Sequence, residues 1–168
     1  MRSYRNDFPK GLFALAPASL AFLVFLGVFA AAEGVGEGGK QACTPTRSDS
    51  EGPFYEPGAP SRTSTGRGLV VRGRLLGAPD CRPLPDGRIE WWQTDRRGRY
   101  DDDHRGSQAT GPDGAYRFST DFPGIYPGRP PHIHFKAAAP GYRLLTTQLY
   151  LRGGEAEVEF DIVLVPDR

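Results

Sequence analysis

Charge surplus of either sign, long helical periodicity and internal repeats are all missing from this chain. Among its 168 residues, 21 lysines and arginines stand against 20 aspartates and glutamates, a net charge of +1 at pH 7. Such a balance offers no basic excess to a nucleic-acid backbone and no basic helix to a membrane surface. No stretch beyond the first 32 residues fits a long amphipathic helix, which excludes a helical bundle. The absence of a repeat excludes a solenoid or propeller array. Cysteine is down to two residues, Cys43 and Cys81, so at most one disulfide can form within the chain. Histidine is down to three, and two of these, His132 and His134, lie one residue apart. With so few available, that pairing is not incidental.

One long apolar run stands out at the start. Arg2, Arg5 and Lys10 precede residues 11–32, which are nearly all apolar and end in Ala30-Ala31-Ala32 before Glu33. The small-x-small ending suits signal-peptidase cleavage, while the length of the run also suffices to span a bilayer. Pro17 interrupts it without deciding between the two. Residues 1–32 are therefore expected to be a signal peptide or a membrane anchor. In either case the positive start stays cytoplasmic and the rest is exported, periplasmic or secreted. An even cysteine count in an oxidising compartment predicts a Cys43–Cys81 disulfide. Closing that loop would stabilise the fold by about 4 kcal/mol in the chain-entropy model. Residues 33–47 are expected to form a flexible tether, glycine-rich over 33–41, and residues 48–168 one folded domain.

Within that domain the recurring signal has period two. Leu69, Val71 and Leu75 alternate with Val70, Arg72 and Arg74, and Ile89 and Trp91 with Arg88, Glu90 and Trp92. Tyr116 and Phe118 flank Arg117. Leu145, Thr147, Leu149 and Leu151 alternate with Thr146, Gln148 and Tyr150. The run Val158, Phe160, Ile162 and Leu164 is opposed by Glu157, Glu159 and Asp161. Turn signals at Leu84–Gly87, Gly111–Gly114, Pro140-Gly141 and Gly153-Gly154 separate these runs. Six or so short strands between Pro/Gly turns predict an all-β fold, a single β-sandwich.

His132 and His134 sit in Arg129-Pro-Pro-His-Ile-His-Phe135. On a strand they share one face, while Ile133 and Phe135 share the other. Such a pair fits half a metal site, and it also fits an ordinary structural pair. Two tyrosines favour the metal: Tyr126 in the Pro/Gly-rich turn just upstream, and Tyr100 where the Ile89–Gln93 strand runs into a charged loop. Either tyrosine taken alone could equally pack its ring and bond its hydroxyl to backbone. A phenol, with an ordinary pKa of about 10, ionises near neutrality only beside a strong Lewis acid. Phenolates are hard donors and imidazole suits iron, so this donor set favours Fe(III) over Fe(II) and zinc. Zinc would more usually recruit a third histidine, a carboxylate or a cysteine, and no carboxylate is grouped with the pair. His104, in Asp101-Asp-Asp-His-Arg105, is expected to be solvated rather than ligating.

The ordered segments Ser50-Glu-Gly-Pro-Phe-Tyr55, Ile89-Glu-Trp-Trp-Gln93, Gly98-Arg-Tyr100, Gly111-Pro-Asp-Gly114, Pro123-Gly-Ile-Tyr126-Pro127, Arg129–Phe135 and Gln148-Leu-Tyr150 resemble the intradiol ring-cleavage dioxygenases. That family includes the protocatechuate and catechol dioxygenases. The resemblance implies that Tyr100, Tyr126, His132 and His134 ligate non-haem Fe(III), with Tyr126 the tyrosine that leaves when substrate binds. It implies that Arg129 stabilises negative charge on the ring, that Gln148 stands behind the ligands, and that Tyr55 lines the substrate pocket. The implied partners are a small aromatic diol and O₂, with cleavage between the two hydroxyls to a muconate-type diacid.

Departures from the family pattern are visible too. No segment matches the helical N-terminal dimerisation domain of the catechol-type enzymes. Gly128 stands where protocatechuate enzymes carry a bulky aromatic, implying a more open pocket. The export signal resembles the smaller exported branch. Two rival readings are a non-enzymatic transthyretin-like β-sandwich binding module and a zinc hydrolase.

Overall fold

Alternation along the longest strands decides the layers. In the computed structural model, which describes residues 43–168, the strands are β1 (Ser64–Thr65), β2 (Gly68–Gly77), β3 (Arg82–Pro83), β4 (Arg88–Thr94), β5 (Tyr100–Ala109), β6 (Ala115–Asp121), β7 (His132–Ala138), β8 (Leu145–Tyr150), β9 (Glu157–Glu159) and β10 (Ile162–Leu164). There is no helix among the described residues. One sheet runs β1-β6-β2-β10, with β3 and β9 also paired to β2, and the other runs β5-β4-β7-β8. The expected all-β sandwich is the observed fold. The expected signal or anchor segment, 1–32, and the tether up to residue 42 lie outside the described residues.

The core fills from one face of each sheet. Leu69, Val71 and Leu75 of β2 and Tyr116 and Phe118 of β6 meet Ile89 and Trp91 of β4 and Ile133, Phe135 and Ala137 of β7. Trp91 stacks on Phe118 at 4.0 Å between centroids, and its Nε1 donates to Thr65 Oγ1 at 3.1 Å. Truncating either ring to alanine would cost about 3–5 kcal/mol, from lost transfer energy plus the cavity left behind.

The opposite face of the β5-β4-β7-β8 sheet is where the site lies. Register places Trp92 of β4, His134 of β7 and Gln148 of β8 in one row, and His132 beside Tyr150 in the next. This face is not left to solvent, because residues before β1 cross it. Asp49 N donates to the Thr146 carbonyl at 2.9 Å along the β8 edge, Gln148 Nε2 donates to the Ser50 carbonyl at 2.5 Å, and Lys136 pairs with Glu51 at 2.5 Å. Further back, Cys43 and Cys81 form the expected disulfide, with α-carbons 5.2 Å apart. Thr46 exchanges hydrogen bonds with Val163. Residues 43–47 were expected to belong to the tether. They are instead pinned to the sandwich, because the disulfide and the Thr46–Val163 bonds supply the anchorage that a glycine-rich segment lacks.

Two strand expectations need correction. The clean alternation from Val158 to Leu164 is not one strand but β9 and β10, both parallel to β2. The break falls at Phe160-Asp161. There the Phe160 carbonyl accepts the Tyr116 hydroxyl, and Asp161 Oδ1 accepts the Arg74 amide at 2.8 Å. Conversely, the Asp-rich run after Tyr100, where the alternation predicts no strand, belongs to the ten-residue strand β5.

Candidate metal centre

Period-two geometry puts both imidazoles on the covered face, and pairing with β4 and β8 holds them there. His132 and His134 are buried, 4% and 3% exposed, with their Nε2 atoms 3.1 Å apart. Tyr100 Oη lies 3.1 Å from His132 Nε2 and 2.9 Å from His134 Nε2. A cation about 2.0 Å from each donor would hold neighbouring donors about 2.8 Å apart at right angles and about 3.3 Å apart in a tetrahedron. All three edges fall within that interval, so the donors fit an ion at their centre.

The protonation states agree. His132 Nδ1 lies 2.7 Å from the Pro130 carbonyl. A carbonyl only accepts, so Nδ1 carries the hydrogen and Nε2 presents a bare lone pair. Burial holds His132 below the ordinary imidazole range. Burial, with His132 as neighbour, pulls His134 down to about 4. Both rings are therefore neutral at pH 7, the form that ligates. Burial pushes the Tyr100 phenol up to about 12. Its ionisation requires a cation at the triangle, as the donor chemistry implies. Among the described residues no three His, Cys, Asp or Glu side chains form a metal cluster, and the donor grouped with the two histidines is the Tyr100 phenol oxygen.

The two tyrosines reach the site from adjoining turns. The Asp95–Arg99 turn joins β4 to β5 and delivers Tyr100 as the first residue of β5. Gly98 there has φ +81°, and a Cβ on it would clash with the Ile125 carbonyl. Gly124 N donates to the Asp95 carbonyl and Thr94 Oγ1 to the Gly124 carbonyl, both at 2.9 Å. The loop carrying Tyr126 is thus tied to the turn carrying Tyr100. Their rings meet edge-on at 5.8 Å. The Tyr126 hydroxyl makes no hydrogen bond to the other three ligand candidates among the described residues. Tyr126-Pro-Gly-Arg129 closes as a β-turn, with Arg129 N donating to the Tyr126 carbonyl at 3.0 Å and Gly128 at φ +78°. Proline then glycine at the central positions is the type II preference, so the backbone here asks for Gly128.

Arg129 and Gln148 contact each other directly. Arg129 Nη2 donates to Gln148 Oε1 at 2.7 Å and to the Tyr150 hydroxyl at 2.8 Å. Tyr55 is not where it was expected. Its hydroxyl donates to Glu90 Oε2 at 3.2 Å, Lys136 Nζ sits 3.4 Å above its ring, and Trp92 separates it from His134. The neighbouring Phe54 takes the pocket position, stacked on Tyr100 at 4.3 Å and edge-on to Tyr126 at 5.7 Å. The Phe54 and Tyr55 rings leave the turn at Pro53-Phe54 toward different partners, and the sequence does not say which of them faces the site. Phe54, Trp92, Tyr100, Asp101, Asp102, Glu56 and Arg105 line an adjoining cleft of about 350 Å³. His104 is not solvated. Its side chain is 12% exposed and bridges Asp101, at 2.7 Å, and Asp121, at 3.4 Å.

Sequence reasoning missed Phe54, Trp92, Asp49 and Tyr150. The signal that could have found Tyr150 is its shared phase with Gln148, two residues away on β8.

No protein-family model matches the chain. Among curated proteins, the hydroxyquinol 1,2-dioxygenase of Nocardioides simplex is 34% identical over an alignment covering 62% of this chain and 46% of that protein. The chain spans about half the length of the curated relatives it matches. Among solved structures, the dioxygenase domain of a dioxygenase–carbohydrate-binding protein fusion from Streptomyces sp. SirexAA-E is 37% identical, with a TM-score of 0.67. That match covers 74% of this chain and 100% of that domain. An intradiol ring-cleavage dioxygenase from Tetranychus urticae shares the fold, with a TM-score of 0.66 at 22% identity over 74% of this chain and 96% of the other.

Proposed function

This chain belongs to the intradiol ring-cleavage dioxygenase family, and from that premise we propose that it uses non-haem Fe(III) to cleave a catechol-type ring between its two hydroxyls with O₂. The product is a muconate-type diacid. The observation that carries the proposal is the triangle of Tyr100 Oη and two neutral imidazole nitrogens, with edges of 2.9–3.1 Å. Tyr126, on the adjoining turn, completes the ligand set. When bound, Fe(III) supplies Lewis acidity that lowers the hydroxyl pKa values of a chelated catechol.

The remaining work falls to the chain. The Pro130 carbonyl fixes the tautomer of His132, and stacking on Trp92 at 4.8 Å holds the His134 plane. Tyr126 Oη, outside the hydrogen-bonded triangle, is the base for one substrate proton. Arg129 offers fixed positive charge to a ring made electron-rich by losing its protons, and a preorganised charge costs no reorganisation at the moment of reaction. Phe54, stacked on Tyr100 and edge-on to Tyr126, narrows that side of the site.

Export is part of the proposal, supported by Arg2, Arg5 and Lys10 ahead of the apolar run 11–32 and by the Cys43–Cys81 pairing. The substrate is a small aromatic diol, and protocatechuate is within the range to be assayed. The test is the iron-loaded protein itself. It should be red-brown from tyrosinate–Fe(III) charge transfer and should consume O₂ with catechol, giving a ring-opened diacid. A colourless protein that takes up no iron and consumes no O₂ would defeat the reading.

A further inference from the structure

The two partners of Arg129 share a feature that the ring-cleavage chemistry does not use: each is itself aimed by an adjacent residue of the arm crossing the site. The Tyr150 hydroxyl lies 2.9 Å from Asp49 Oδ2. The Ser50 amide, donating to Asp49 at 2.6 Å, is the leading cause holding that carboxyl below its usual range, so it is ionised and accepts only. Tyr150 must therefore donate its hydrogen to Asp49, which turns an oxygen lone pair toward Arg129. Gln148 Nε2 donates to the Ser50 carbonyl at 2.5 Å, which turns Oε1 toward Arg129. Without these two contacts a phenol can rotate its hydrogen and an amide can flip, and either change presents a donor to a guanidinium that accepts nothing. With them, both hydrogens of Nη2 are committed at 2.7 and 2.8 Å. The N–H groups of Nη1 and Nε have no partner among the described residues and remain available to a ligand.

We infer that Asp49, with the Ser50 carbonyl, is a positioning residue: the arm sets the polarity of Tyr150 and Gln148 and thereby locks the Arg129 guanidinium in one orientation. The inference rests on the ring-cleavage reading for its consequence in turnover, but the locking itself needs no metal. The arm is fastened at one end by the Cys43–Cys81 bond and at the other by the Tyr55–Glu90 contact, so Asp49 and Ser50 are delivered by a segment held at both sides.

Two measurements on the full chain test this. In metal-free protein, the Arg129 Nη2 hydrogens, assigned by their loss in Arg129→Lys, should exchange slowly with solvent by NMR. They should exchange quickly in Asp49→Ala, and Asp49→Asn, whose amide can donate as well as accept, reads the same link should Asp49→Ala fail to fold. In iron-loaded protein, Asp49→Ala should lower kcat about tenfold, the scale of one hydrogen bond to a charged group, with iron content and visible band unchanged. In an Arg129→Leu background the same change should lower kcat less than about twofold, since two steps of one linkage do not add. Equal losses in the two backgrounds, or lost iron, would make Asp49 merely structural and overturn the inference. So would slow exchange that survives Asp49→Ala or, where that variant does not fold, Asp49→Asn. A wild-type protein with no ring cleavage would sink the functional reading and leave the exchange measurement to decide this one.

Discussion

Tyr100 and Tyr126 carry the same phenol in different surroundings, and their variants should differ accordingly. Tyr100 Oη is within 3.1 Å of both imidazoles, whereas Tyr126 meets the site through its ring edge on a turn. Tyr100→Phe should strip most of the visible tyrosinate band in both the resting and substrate-bound protein. Tyr126→Phe should keep a Tyr100 band and lose mainly turnover. Absorption spectra of the two variants with and without a catechol settle the point, and identical spectra in wild type and both variants would exclude tyrosinate ligation. Arg129 is held by Gln148 and Tyr150, so its loss should leave the ligands in place. Arg129→Leu is expected to keep normal iron content with kcat reduced roughly 10²-fold, the scale for one preorganised electrostatic partner. A drop in iron with unchanged activity per iron would assign it a structural role instead.

The turn and strand that present Tyr100 are held by packing and by charge. Gly98→Ala would place a methyl group against the Ile125 carbonyl in a backbone conformation, φ +81°, that side chains disfavour. The turn and the Tyr126 loop would have to separate. We expect a stability loss of about 1–3 kcal/mol in denaturant melts, the cost of a strained position, together with weaker iron binding. An unaltered iron affinity would mean that the two segments do not position the tyrosines jointly.

Further along β5, His104 lies between Asp101 and Asp121, and Arg96 holds Asp121 down to about 2. Burial alone would lower the His104 value, but its bonds to Asp101 and Asp121 outweigh that and raise it. A raised histidine stabilises fully below its unfolded value of about 6.5 and loses that contribution as pH rises through its folded value. A depressed carboxylate does the reverse, stabilising above about 3.9 and losing it as pH falls toward its folded value. His104→Asn should therefore lower Tm more at roughly pH 5.5 than at roughly pH 8.5. An equal loss at both would show that the ring contributes by packing and not by charge.

At the scale of the whole molecule, the disulfide and the arm form one device. Cys43–Cys81 closes a sequence separation of 38, worth about 4 kcal/mol in the chain-entropy model. It fastens the start of the segment that supplies Asp49, Ser50 and Phe54. Free-thiol titration of denatured, non-reduced protein should find no reactive thiol. Reduction should lower Tm and weaken catechol binding together. A lower Tm with unchanged binding would separate the anchor from the site.

What the sequence determined by itself was whatever local period and composition control. Period-two alternation put His132 and His134 on one face and the apolar residues on the other, and the Pro/Gly turns divided the chain into the strands of an all-β sandwich. The cysteine count with the apolar N-terminal run pointed to one disulfide. Local pattern failed where non-local contact decides. Asp101-Asp-Asp103 shows no alternation, yet it lies within β5 as a bulge: Tyr100 and Arg105 pair with Thr94 and Trp92 on β4, and the residues between them are carried along without β4 partners. Val158–Leu164 reads as one strand, yet the Tyr116 hydroxyl and the Arg74 amide split it. Phe54 and Tyr55 are neighbours with equal claims on the pocket, and only the docking of the arm onto β4 and β7 chose Phe54. The closing of Asp49 and Ser50 over Gln148 and Tyr150 spans about a hundred residues of chain. Cross-strand register and the path of a covering segment are properties of the assembled sheet, so they are set only when distant parts of the chain meet.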